Sequence, residues 1–180
     1  MKLTSTASLQ AYVDAVVAVK RAGFLPRARS PVAVTDKTTI ADVKGLEQFF
    51  FAFTDLEPKT KLKGRIRSCY KWALMAALAD HNMVYCEGYA LPKSLGVPVL
   101  HAWCVDKITG VVHDPTWKRD NRGDAYIGLP MQAEFVTDTV LKNRYYGILD
   151  NMWLHRDLTC TLYNMVHPQY HDKVFNSHKC

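Results

Sequence analysis

The chain has 180 residues, 48% of them apolar and 22% charged, with a formal net charge of +6. That length suits one domain with a single sizeable core, and that balance of apolar to charged residues excludes wholesale disorder. Much of the positive charge falls in two clusters, Lys20, Arg21, Arg27 and Arg29, then Lys59, Lys61, Lys63, Arg65 and Arg67. With no nucleic-acid motif beside them they read as solvated faces, and nucleic acid is a minor candidate partner.

Residues Met1 to Thr6 lack the apolar segment of a secretory signal, and there is no run of about eighteen apolar residues able to span a bilayer. The expected place is the cytosol, away from membranes. The five cysteines cannot all pair. In a reducing compartment each reads as buried, catalytic or metal-bound.

Leu9, Val13, Val16, Val17 and Val19, stopped by Gly23, predict a helix over 7–22. After Pro26 and Pro31 the chain reads as irregular. Leu46, Phe49, Phe50 and Phe53 then suggest a short helix ending near Pro58, with its aromatic residues in the core. The basic stretch 59–67 reads as an exposed connection. Ser68 stands as the N-cap of a buried helix carrying Cys69, Trp72, Ala73, Ala76, Ala77 and Leu78. Strands follow at Met83–Ala90 and Val97–Val105, joined by a turn from Pro92 to Gly96, and a third at Val111–Asp114 after the Thr109-Gly110 turn. A loop over Lys118–Asp124 leads to a strand at Ala125–Leu129 and helices at Met131–Lys142 and Asn151–Met165. The polar tail from His167 reads as poorly ordered.

Chemistry concentrates at three of these positions. Cys69 lies in the first turn of its helix, where free N–H groups and the positive end of the macrodipole favour a thiolate. A nucleophilic cysteine needs a base, and the base needs a third group to hold its tautomer. His101 on one strand and Asp114 at the end of the next can be antiparallel neighbours across the Thr109-Gly110 turn. Glu87, beside this cleft, reads as a strand carboxylate facing water. Cys86 and Cys104 read as core residues, and Cys160 as part of an apolar helix. No paired Cys-x-x-Cys accompanies His101, Cys104 and His113, and no metal or cofactor is expected.

The order Cys69 at a helix start, Gly88-Tyr89-Ala90, His101-Ala102-Trp103, then Asp114-Pro115-Thr116 resembles the transglutaminase-like superfamily of papain-fold thiol enzymes over about residues 65–117. The wider pattern is similar to small uncharacterised proteins of bacteriophages and bacteria. The resemblance implies an α+β domain spanning 1–180, with a core at about 60–130 in which the Cys69 helix packs on an antiparallel sheet. It implies Cys69 as nucleophile, His101 as base and Asp114 as orienting acid. The expected activity is hydrolysis or acyl transfer at an amide-type bond of a protein or peptide, through a thioester. The family also includes members without catalysis, so a binding protein, such as a phage factor that blocks a host protein, is the alternative. The setting of Cys69 predicts that low-dose iodoacetamide at neutral pH labels it before Cys86, Cys104 and Cys160, a ranking read by peptide mass spectrometry.

Overall fold

In a computed structural model of the protein, residues 5–23, 46–53, 68–117, 123–150 and 162–175 are described. The first helix, α1 (Thr6–Gly23), begins where the Ser5 hydroxyl accepts the Ser8 N–H at 3.2 Å, satisfying one of the orphan donors of the first turn. Leu9 and Val13, four apart and so on one face, are buried with Leu91, Ala125 and Ile127. The expected helix near Phe53 is instead a single 3₁₀ turn, Leu46–Phe49, followed by an edge strand, β1 (Phe51–Phe53). Phe49, Phe50 and Phe51 in a row carry no helical period, and pairing to a sheet edge decides the conformation of Phe51–Phe53. Phe49 and Phe53 are nonetheless in the core. Arg27, Arg29 and residues 59–67 lie outside the described residues.

The second helix, α2 (Cys69–Ala79), buries Ala73, Leu74, Ala76 and Ala77. Its small side chains let the backbone come close to the sheet, and the Cys104 thiol donates to the Ala73 carbonyl at 3.1 Å. Strands β2 (Met83–Pro92), β3 (Val99–Asp106) and β4 (Val112–His113) follow as two hairpins, and β5 (Gly123–Met131) returns beside β2. The sheet is antiparallel throughout, in the order β1-β5-β2-β3-β4. The class is therefore α+β, with helices covering an antiparallel sheet.

Strand β5 begins at Gly123, so the end of the predicted loop belongs to the sheet, while residues 118–122 lie outside the described ones. Helix α3 (Ala133–Asn143) falls where expected. Of the next predicted helix, only α4 (Leu162–Met165) lies within the described residues, and Cys160 does not. The tail is a correction: a 3₁₀ turn (Pro168–Tyr170) and α5 (His171–Phe175) pack Tyr170 and Val174 into the core. Two apolar residues four apart outweigh the polar composition around them. Among the described residues, no helix is long and apolar enough to cross a membrane.

One close approach sets the shape of the sheet around β2. Gly88 lies opposite His101 on one side and Gly128 on the other. A Cβ on Gly88 would collide with the Ile127 carbonyl, and one on Gly128 with the Glu87 carbonyl and, at 2.6 Å, with the Trp103 ring. The missing side chains leave the room that the indole of Trp103 fills. Gly128→Ala is expected to cost about 3 kcal/mol, at the upper end of ordinary overpacking. Leu95→Ala, at a residue 55% exposed, is expected to stay within about 0.5 kcal/mol; urea unfolding measures both.

Candidate active site

The β3–β4 hairpin brings His101 to Asp114, whose carboxylate follows β4 directly. Asp114 Oδ2 accepts from His101 Nε2 at 2.7 Å, and the pair is buried, with 3% and 2% of their surfaces exposed. Asp114 Oδ1 accepts from the Thr116 N–H at 2.9 Å, the Thr116 hydroxyl at 3.1 Å and the Trp117 N–H at 3.1 Å. This is an Asx-type turn, with the carboxylate bonding the backbone that follows it. Oδ2 has a second donor, the Tyr126 hydroxyl, at 2.9 Å. The carboxylate is thus held by five hydrogen bonds.

Burial alone would raise the Asp114 pKa, but His101, through its hydrogen bond and charge, and the backbone donors outweigh it and hold the group down at about 2. Burial works against the charged His101 ring too, yet Asp114, and then Cys69, hold its pKa up at about 9. An ionised carboxylate can only accept, so Nε2 must carry a proton. That leaves Nδ1 for the hydrogen bond that the His101 ring shares with the Cys69 thiol. Trp117 stacks on the His101 ring with centroids 3.9 Å apart and planes at 17°, a placement that also favours an imidazolium.

Cys69 is half-buried at the first position of α2. Ser68 occupies the cap position but makes no side-chain hydrogen bond there. The opening N–H groups of the helix are therefore not capped by that hydroxyl. The three residues singled out from sequence, Cys69, His101 and Asp114, are brought together. Cys86 and Cys104 are fully buried, and burial pushes both thiols well up. Among the described residues, no group of three His, Cys, Asp or Glu side chains is placed to hold a metal ion.

Glu87 is a correction. It does not face water: it is fully buried, accepting the Tyr85 hydroxyl at 2.6 Å and the backbone N–H groups of Ile148 and Leu149 at 2.8 Å each. Burial raises its pKa to about 7 despite those donors. Its role is to tie residues 148–149 to β2, and Asp150 in the same segment hydrogen-bonds Tyr70, next to Cys69. The partners 61 and 62 residues away carry no signal in the local sequence. Tyr126 was also missed, since it meets Asp114 only through strand pairing. Comparison with family models, curated proteins and solved structures found no match.

The two pKa displacements make stability depend on pH in opposite directions. The contribution of Asp114, with its pKa lowered, is present above the usual carboxylate value and lost as pH falls from about 4 towards 2. That of His101, with its pKa raised, is full below about 6.5 and lost as pH rises through about 9. The pair therefore stabilises most between about pH 4 and 6.5. Asp114→Asn is expected to cost about 3–5 kcal/mol in that window and to flatten both limbs, as read by urea unfolding from pH 3 to 10.

Proposed function

We propose that the protein is a thiol hydrolase or acyltransferase with a transglutaminase-like, papain-like core, acting on an amide-type bond of a protein or peptide substrate through Cys69, His101 and Asp114. The observation that carries this reading is the continuous chain of contacts from Cys69 to the His101 ring and on to Asp114, with Nε2 committed to the carboxylate. That commitment leaves Nδ1, the nitrogen facing the sulfur, as the one that exchanges a proton.

The steps follow from this geometry. With the His101 pKa near 9, the ring stands as the imidazolium and Cys69 as its thiolate partner; the thiolate adds to the carbonyl carbon, forming a C–S bond and moving the π electrons onto oxygen. The N–H groups at the start of α2 face the developing oxyanion, the Cys69 N–H first among them. The tetrahedral adduct collapses as the C–N bond breaks. His101 returns its proton to the leaving amine, and a thioester remains. Water or an amine, deprotonated by His101, adds to the thioester carbonyl, and loss of the Cys69 thiolate restores the enzyme. Asp114 keeps its negative charge throughout and stabilises the imidazolium formed in each half. Hydrogen bonds and ring contacts around His101 and Asp114 keep these groups in place.

Cys69→Ala, which removes the only group able to form the thioester, is expected to abolish acyl-enzyme formation with activated amide and ester probes while leaving the fold intact. Asp114→Asn is expected to reduce it by a factor on the order of 10⁴. Intact-protein mass spectrometry after probe treatment follows the adduct. A folded Cys69→Ala protein that performs as well as wild type in a biological readout, such as growth of the host cell, would overturn the enzyme reading in favour of a binding protein.

A further inference from the structure

We infer that Tyr126 is a positioning residue of this site, whose hydroxyl sets how strongly Asp114 holds the His101 ring. The inference rests on the triad reading and adds to it a fourth side chain, from a different strand.

Tyr126 lies on β5, opposite Ala90 of β2 and Phe53 of β1, and is fully buried. Its hydroxyl donates to Asp114 Oδ2, the same oxygen that binds His101 Nε2. The direction of that bond is fixed from both ends. The carboxylate can only accept, and the Gly123 N–H donates into the Tyr126 oxygen at 3.2 Å, occupying a lone pair. Residue 123 must be small for this, because a Cβ there would stand 2.8 Å from the Tyr126 ring. The ring itself is wedged edge-on against Trp103, with centroids 5.1 Å apart, and tilted against Trp117 at 6.0 Å.

Two donors on one oxygen compete for its charge. The Tyr126 hydroxyl takes part of what Oδ2 would otherwise present to the imidazole, and so moderates the pull of Asp114 on the Nε2 proton. It also fixes the carboxylate plane from the side opposite Thr116 and Trp117. A ring that stands protonated beside Cys69 and must give that proton to a leaving group is served by a partner held short of maximal basicity. The ring alone, with its aromatic contacts, would give none of this.

The test is Tyr126→Phe in the full chain, which keeps the ring and removes the hydroxyl. The readout is the titration of the His101 ring nitrogens by ¹⁵N NMR from pH 6 to 11. The wild-type midpoint is expected near 9. In the variant it is expected to rise by roughly half a pH unit, because Oδ2 then presents its charge to one donor only. The alkaline limb of Cys69 alkylation against pH is expected to move with it. A folded variant whose His101 midpoint stays within about 0.2 of wild type would overturn the inference and leave Tyr126 as packing alone. Should the variant not fold, replacing tyrosine by 3-fluorotyrosine, a stronger donor, in the wild-type chain is expected to lower the midpoint. An unchanged midpoint there would equally overturn it. The His101 titration does not require a reactive thiol. An inert Cys69 with a displaced midpoint would sink the enzyme and keep the role of Tyr126.

Discussion

Asp114 is a buried anion with five donors around it, one of them the His101 cation, and the rest of the site is arranged by that fact. A carboxylate out of water is tolerated only where hydrogen bonds and an opposite charge replace its hydration. The donors come from β3, from β5 and from the turn after β4, so satisfying one side chain ties three separate pieces of chain together. The turn that supplies the Trp117 N–H also sets the Trp117 ring on His101. The tautomer of His101, and hence which nitrogen faces Cys69, follows from the same anion.

The two buried carboxylates of the core make an instructive contrast. Glu87 has three donors, the hydroxyl of Tyr85 and two backbone amides, yet its pKa rises to about 7. Asp114, nearly as buried, falls to about 2. Neutral donors offset part of the desolvation in both cases, and the imidazole of His101 decides the difference, whereas at Glu87 the charge of Asp150 adds to the rise. Asp114 is thus the permanent anion of the site, whereas Glu87 ties a segment to the sheet and lies near its protonation midpoint at neutral pH.

Much of this arrangement is legible in the sequence. The β2–β3 and β3–β4 hairpins announced themselves through alternation and turn residues, and their register puts His101 within reach of the residue after β4. Helix α2 announced itself through alanine spacing. What local pattern could not carry was contact made at a distance. Phe51 to Phe53 take a strand conformation only because β5 offers an edge. Glu87 is buried because backbone amides some sixty residues later meet it. Tyr170 and Val174 are recruited to the core from a polar tail. Tyr126 reaches Asp114 because β5 lies two strands from β3, which is topology and not sequence spacing. Ser68 sits where a cap belongs, but its hydroxyl does not make the bond its identity suggested.

The crossing at Gly88 and Gly128 has a consequence for how variation in this chain should be interpreted. Neither residue has a side chain to offer chemistry, yet neither position has space for one, because the carbonyls of Ile127 and Glu87 and the Trp103 indole already fill it. A survey of variants scored by the proposed activity alone would rank the two glycines beside Cys69. The same survey scored by the amount of folded protein would separate them. Losses at Cys69 would leave abundance intact, while losses at the glycines would follow abundance, so intolerance to substitution at the centre of this sheet records steric exclusion as much as reactivity.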